Sequence, residues 1–195
     1  MQRLLLKKVQ WTGLLILLFV VVLLPDAYSQ DKKEGFTVRS AWTRLVDEVY
    51  YMSARVDYEF SKEALEALEN GVPLDIKVYI EVEGVRNYMW NETVATLVQH
   101  YRLAYHALAE QYIVENLNSG TRKSFPSRYT AVSSMGTIDN LPILDRELLS
   151  SDKEYRGKIR ARLDLESLPA PLRPWAWFTP SWRLSSDWYT WSLKP

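Results

Sequence analysis

The 195-residue chain contains no cysteine. Structural disulfides, thiolate nucleophiles and thiolate-held metals are therefore excluded, and a folded domain must be held by burial alone. Glycine is scarce, with seven scattered residues, so no glycine-rich loop can cradle phosphate, and no Gly-x-Ser-x-Gly turn occurs. Histidine occurs twice, as His100 and His106. Six residues apart, they stand roughly 20 Å apart on a strand and about 240° apart around a helix, and neither geometry makes a two-histidine metal site. No metal or cofactor is expected. Neither sign of charge is in excess, since 24 Lys and Arg balance 24 Asp and Glu. A nucleic-acid-binding domain is expected to be basic, so no nucleic-acid partner is expected.

Long apolar runs are also absent, except at the start. Arg3, Lys7 and Lys8 form a positive region, Leu14 to Leu24 is unbroken apolar sequence, and Pro25-Asp26 ends it before Ala27-Tyr28-Ser29. That order is the pattern of a secretory signal peptide over residues 1–29, with the mature chain starting near Gln30. Val9 to Leu24 is 16 positions, whereas a spanning helix needs roughly 20. The alternative is an uncleaved N-terminal anchor, and membrane contact is expected only in that case. No cysteine follows the run, so a lipid anchor is not supported. After Ser29 there remain 21 basic and 23 acidic residues. Residues 30–35 are polar and read as a linker, and 36–195 as one domain large enough for a hydrophobic core.

What the domain has in quantity is alternation. Tyr50, Met52, Ala54, Val56, Tyr58 and Phe60 alternate with polar residues, as do Leu74, Ile76, Val78, Ile80 and Val82 against Asp75, Lys77, Glu81 and Glu83. Ile159, Ala161, Leu163 and Leu165 repeat the pattern against Lys158, Arg160, Arg162, Asp164 and Glu166. Period two with one wet face is the signature of antiparallel strands. Phe36 to Val46 is a weaker first strand. Ser61 to Gly71 reads as a short helix, capped by Ser61 and stopped by Asn70-Gly71. Residues 93–117 read as a long strand, a turn near Ala109-Glu110, and a strand from Tyr112 to Leu117, with a helix over 94–110 as the competing reading. Asn118-Ser119-Gly120 is a loop, Ser127 to Met135 a short helix before Gly136, and Asp145 to Leu149 a helical turn. Trp188 to Leu193 makes a last strand. About seven strands with small helical insertions predict an antiparallel β-sandwich, immunoglobulin-like in outline.

Aromatics are abundant, eight Trp and 12 Tyr, and crowd toward the C-terminus. Leu168-Pro-Ala-Pro-Leu-Arg-Pro174 reads as a stiff connector, neither helix nor central strand. Arg173 lies in it, and Trp175 and Trp177 would share a face if the chain stays extended. Arg173, Trp175, Trp177 and Trp182 are the candidate binding residues, a platform for a sugar, a lipid headgroup or a protein. The bland alternative, which a domain without staples favours, is that these rings close one end of the sandwich as core. No catalytic residue emerges. Asp145/Glu147 and Asp164/Glu166 are carboxylate pairs of the kind hydrolases use, but their positions read as solvated.

Four stretches, in order, carry a resemblance: Glu66-Ala-Leu-Glu-Asn-Gly-Val-Pro-Leu74, Tyr101-Arg-Leu-Ala-Tyr-His-Ala-Leu108, Leu168 to Pro174, and Trp182-Arg-Leu with Asp187-Trp-Tyr-Thr-Trp191. Together they span most of 36–193, and the chain resembles an uncharacterised family of proteobacterial exported proteins, domain of unknown function 4390, some of whose members are labelled "proline-rich signal peptide protein". Arg128 departs from the pattern, which has leucine there. The resemblance implies no activity, cofactor or catalytic residue. It does imply a Gram-negative periplasm and a membrane sensor kinase of the nitrogen-regulation type as a signalling neighbour.

The function expected is that of a non-enzymatic periplasmic protein-interaction module, periplasmic or anchored in the inner membrane. Its partner would be an envelope protein, with the sensor kinase as one candidate. The alternative is a glycan- or lipid-binding module using the C-terminal aromatics, and an envelope hydrolase is a third class. If residues 1–29 direct export, a reporter that works only outside the cytoplasm, fused after Phe60, will be active. A fusion active only in the cytoplasm contradicts the signal.

Overall fold

The computed structural model describes residues 34–86 and 91–193. The signal segment and positions 30–33 of the linker lie outside the described residues. The described chain forms one compact unit from Glu34 onward.

Two antiparallel sheets make a sandwich. The smaller has three strands in the order β1 (Gly35–Val46), β2 (Val49–Glu59) and β7 (Thr137–Asp145). The larger has six, in the order β6 (Thr121–Phe125), β5 (Gln111–Asn116), β4 (Glu92–His106), β3 (Leu74–Gly84), β8 (Tyr155–Leu163) and β9 (Tyr189–Leu193). Three short α-helices, α1 (Lys62–Glu69), α2 (Arg128–Met135) and α3 (Arg173–Phe178), and two 3-10 turns, Arg146–Leu148 and Pro180–Trp182, complete the described chain.

The alternating residues form the core. Tyr50, Met52, Ala54, Val56, Tyr58 and Phe60 all point inward and are buried, in one cluster with Leu74, Ile76, Val78, Ile80 and Val82, which have no exposure. Each such aliphatic side chain stabilises the fold by roughly 1.5–3 kcal/mol relative to exposure. Phe36, Tyr58 and Phe60 cluster at one end, with the Phe36 and Tyr58 centroids 4.8 Å apart and edge-on. Asp47 and Glu48 both take positive φ, 47° and 62°, so β1 and β2 are joined by a two-residue turn whose twist suits a hairpin. Ser61 caps α1 by accepting a hydrogen bond from the Ala64 N–H at 3.3 Å. Gly71, at φ +86°, lets the chain leave the helix.

Residues 94–106 belong to a strand rather than a helix, because the fifteen residues of β4 pair with β3 on one side and β5 on the other. Nine strands stand among the described residues, against about seven expected; β6 and β7 carried no periodic signal. β6 is an edge strand whose first four residues are exposed. β7 slips register twice against β2, and Asn140 in it takes φ 51°, so its apolar residues do not alternate.

Two carboxylates read as solvated lie elsewhere. Asp75 is buried because Arg102, its partner across the β3–β4 pair, grips both of its oxygens at 2.7 Å. β8 ends at Leu163, so Asp164 lies past the strand and pairs with Lys77 at 2.9 Å. Glu166, also beyond the strand, is exposed.

The C-terminal strand is keyed in by a missing side chain. A Cβ on Gly157 would stand 2.2 Å from a ring carbon of Trp191, its cross-strand partner, so the indole lies flat over the glycine. Gly157→Ala is expected to destabilise the domain by roughly 1–3 kcal/mol in chemical denaturation. In a Trp191→Ala background the same substitution should cost clearly less. An equal cost in both backgrounds would show that the ring is not what the methyl meets.

Candidate functional site

The chain from Leu168 to Leu184 turns the aromatic tail into two populations. Leu168, Ala176, Trp182 and Leu184 are buried. Trp175, Trp177 and Phe178 are 66%, 55% and 83% exposed. The cause is helical geometry. Pro174 sits in the first turn of α3, where its fixed φ is tolerated. At about 100° per residue, only Ala176 can face inward while its neighbours swing out. The extended connector expected up to Pro174 therefore gives way to helix at Arg173, and Trp175 and Trp177 do not share a face. The expectation that these rings serve as core is corrected for Trp175 and Trp177 and holds for Trp182, which is 4% exposed. Trp182 ends a 3-10 turn, Pro180–Trp182, that packs against α1.

The two arginines of the segment are tied to its backbone. Arg173 is exposed as a residue, and its Nε donates to the Leu168 carbonyl at 2.7 Å. Arg183 Nη2 donates to the Trp177 carbonyl at 2.8 Å. These bonds hold α3 at both ends. Of the four candidate binding residues, Arg173, Trp175 and Trp177 are thus brought to the surface on one short helix. Trp182 lies in the core beneath.

Trp177 also lines a groove of about 240 Å³ on the outer face of the large sheet, with Lys77, Tyr79, Arg162, Asp164, Glu166 and Arg183 among its walls. The hydrogen bond from Lys77 to Asp164 outweighs partial burial and holds the ammonium above the ordinary lysine range. Further along this face Lys158 bridges Glu81 at 3.2 Å and Glu83 at 2.7 Å. Burial alone would raise the Glu83 carboxyl; hydrogen bonds from Lys158 and Asn91 win and hold it below the usual range. Lys158 also stands 4.6 Å from the Trp188 ring centroid.

A second surface was not foreseen. The outer face of the small sheet carries Trp42, Arg44, Tyr51 and Arg55, since Trp42 pairs with Ser53 and Arg44 with Tyr51. Trp42 is 47% exposed. Arg44 reaches Asn140 Oδ1 and Arg55 reaches Asp139 Oδ1, each at 2.9 Å, so both guanidinium groups are braced across the sheet. Leu45 and Val46 are exposed at the hairpin end of the sheet, as is Leu148 just beyond β7. By parity Trp42 and Val46 match the inward Phe36 and Val38, and the register shift between Val38 and Ser40 turns them outward, so no sequence signal marked this face.

One histidine side chain, that of His106, and the backbone of the other, His100, take part in turns. Asn118 Oδ1 accepts from the His100 backbone N–H at 2.7 Å, and His106 Nδ1 accepts from the Ala109 N–H at 3.2 Å. Asp145 and Glu147 are both exposed. Among the described residues no group of three or more His, Asp or Glu could hold a metal ion, and no helix is long and apolar enough to cross a membrane.

These positions make opposite demands on the two tryptophans. Trp182→Ala should cost roughly 3–5 kcal/mol as a buried aromatic truncated to a cavity, whereas Trp177→Ala should stay within about 1 kcal/mol of the parent. Urea titrations of both proteins check this, and a Trp177→Ala protein as unstable as Trp182→Ala would overturn the division of the tail.

Comparison with known proteins gives one family. The family model described as Domain of unknown function (DUF4390) matches residues 33–192. No curated protein and no solved structure matches the chain.

Proposed function

We propose, for a chain that belongs to the DUF4390 family of unknown function, a non-enzymatic role in the cell envelope: an exported module that docks a protein partner on the outer face of its small sheet. The observation that carries this reading is the composition of that face. Trp42, Tyr51, Arg44 and Arg55 stand together on two neighbouring strands, and Trp, Tyr and Arg are the residues that dominate the centres of protein interfaces. The bracing of both arginines by Asn140 and Asp139 reduces the side-chain ordering required on binding. The exposed Val46, paired with Val49 on the same face, extends the patch at the hairpin end. The family resemblance and the N-terminal signal pattern support a periplasmic setting, with a membrane sensor kinase as one candidate partner.

A second reading, a glycan- or lipid-binding module, is favoured by a different observation: the exposure of Trp175, Trp177 and Phe178 on α3. The two surfaces lie on different elements and are compatible in one molecule.

A photoreactive amino acid placed at Trp42 in living cells tests the first reading. The expected result is one discrete adduct containing the extracytoplasmic part of a membrane sensor kinase. The same probe at Tyr129, which is 82% exposed on α2, should not give it. No adduct at Trp42, or the same adducts at both positions, would remove the small-sheet face as the docking site.

A further inference from the structure

We propose that α3 is a membrane-contact element that seats on an anionic phospholipid surface; this rests on the second reading above and commits it to one ligand class. The inference begins with an asymmetry of charge. From Ser167 to Ser186 the chain contains no Asp or Glu, and its only charged side chains are Arg173 and Arg183. In a chain with 24 acidic residues, such an acid-free stretch around three exposed aromatics is a local reversal of the overall balance.

The geometry of α3 fits an interface between water and lipid. Trp175, Trp177 and Phe178 project from the domain with nothing but Ala176 facing inward. Indole and phenyl rings on a protruding turn are at home at headgroup level, where one side is apolar and the other wet. An arginine lies at each end of this cluster, and each gives one donor to a backbone carbonyl within the segment, which fixes its guanidinium beside the rings. A guanidinium has five donors in a planar fork, the pattern that recognises phosphate. On the Trp177 side the groove adds Lys77 and Arg162 against Asp164 and Glu166, with Lys77 and Asp164 paired to each other, so it balances in charge and leaves the two flanking arginines unopposed. The charge presented to a surface approaching α3 is therefore positive, and the occupant it complements is anionic. The groove beside α3 takes in only Trp177 of these rings, so a sugar held there would leave the exposed Trp175 and Phe178 unused. A flat, charged, partly apolar surface matches α3 better.

The absence of cysteine supplies the test. Phe178→Cys in the full chain, labelled with an environment-sensitive dye, is mixed with vesicles of phosphatidylethanolamine and phosphatidylglycerol, and separately with vesicles of phosphatidylcholine. Tyr129→Cys, labelled identically, reports whether any part of the domain is dragged to the surface by the N-terminal segment alone. The expected result is a blue shift of the Phe178-position dye on the anionic vesicles, lost on phosphatidylcholine and weakened in high salt, with no shift at the Tyr129 position. Trp175→Ala in the labelled Phe178→Cys protein should reduce the shift while leaving the denaturation midpoint close to the parent's. No shift on anionic vesicles, an equal shift at both positions, or a shift that follows protein concentration without lipid would each overturn the proposal. The last would mean that a second copy covers α3. The crosslinks at Trp42 report on another face, so either reading can fail without the other.

Discussion

Everything in the domain depends on burying the inward face of β3. That strand lies inside the larger sheet, bonded to β4 and β8, and its five inward aliphatic residues are without exposure. With no disulfide to limit the unfolded chain, burial of this face in one core with the inward residues of β1, β2, β7 and β8 is the principal source of stability. The outward face of β3 then has to be made compatible with water and with its neighbours. It does so by pairing opposite charges across strands: Asp75 with Arg102, Lys77 with Asp164, and Glu81 and Glu83 with Lys158. The directions in which Glu83, Lys77 and Lys158 are shifted follow from this arrangement. Glu83, held low, stabilises the fold above the ordinary carboxylate range and ceases to do so as pH falls through its depressed pKa. Lys77 and Lys158, held high, contribute below the ordinary lysine range and lose that contribution only as pH rises through their raised values.

The same economy of core explains the tail. A domain that has filled the space between its sheets from β1, β2, β3, β7 and β8 has room for few more large rings. Trp182 is taken in under α1, and Trp191 is laid over Gly157 because that position has no side chain. Three remaining aromatics are turned outward by α3, held in place by two arginine-to-carbonyl bonds and by Ala176 beneath them. Rings kept exposed by such fixtures, rather than tucked away by a small change in the connector, are where recognition is to be sought.

Legibility in the sequence followed periodicity. The buried residues of β2, β3 and β8 were visible because each strand is half wet and runs without interruption, so every second residue declares its face. The cap Ser61 was visible because its side chain accepts from the backbone locally, from Ala64. β7 was hidden by its two slips of register, and β6 by lying exposed at an edge. In the tail, Arg173, Trp175 and Trp177 were singled out by residue type and by an extended spacing that the helix does not keep. Their exposure depends on a six-residue helix begun at Arg173-Pro174, and nothing periodic announces a helix of that length. The face of the small sheet was missed for a related reason. Trp42 falls by parity on the inward beat of a weak strand until the register shift turns it outward, and it gains meaning only when β2 brings Tyr51 and Arg55 alongside.

The central claim is the division of the tryptophans into anchored and displayed sets, because both surfaces proposed for recognition depend on it. Fluorine NMR of the 5-fluorotryptophan protein, assigned by single Trp→Phe substitutions, measures this directly with a soluble paramagnetic probe in the solvent. The resonances of Trp42, Trp175 and Trp177 should broaden strongly, while that of Trp182 stays sharp. A protected Trp177 or a broadened Trp182 would contradict the division, and with it the basis for reading α3 as a surface built for contact.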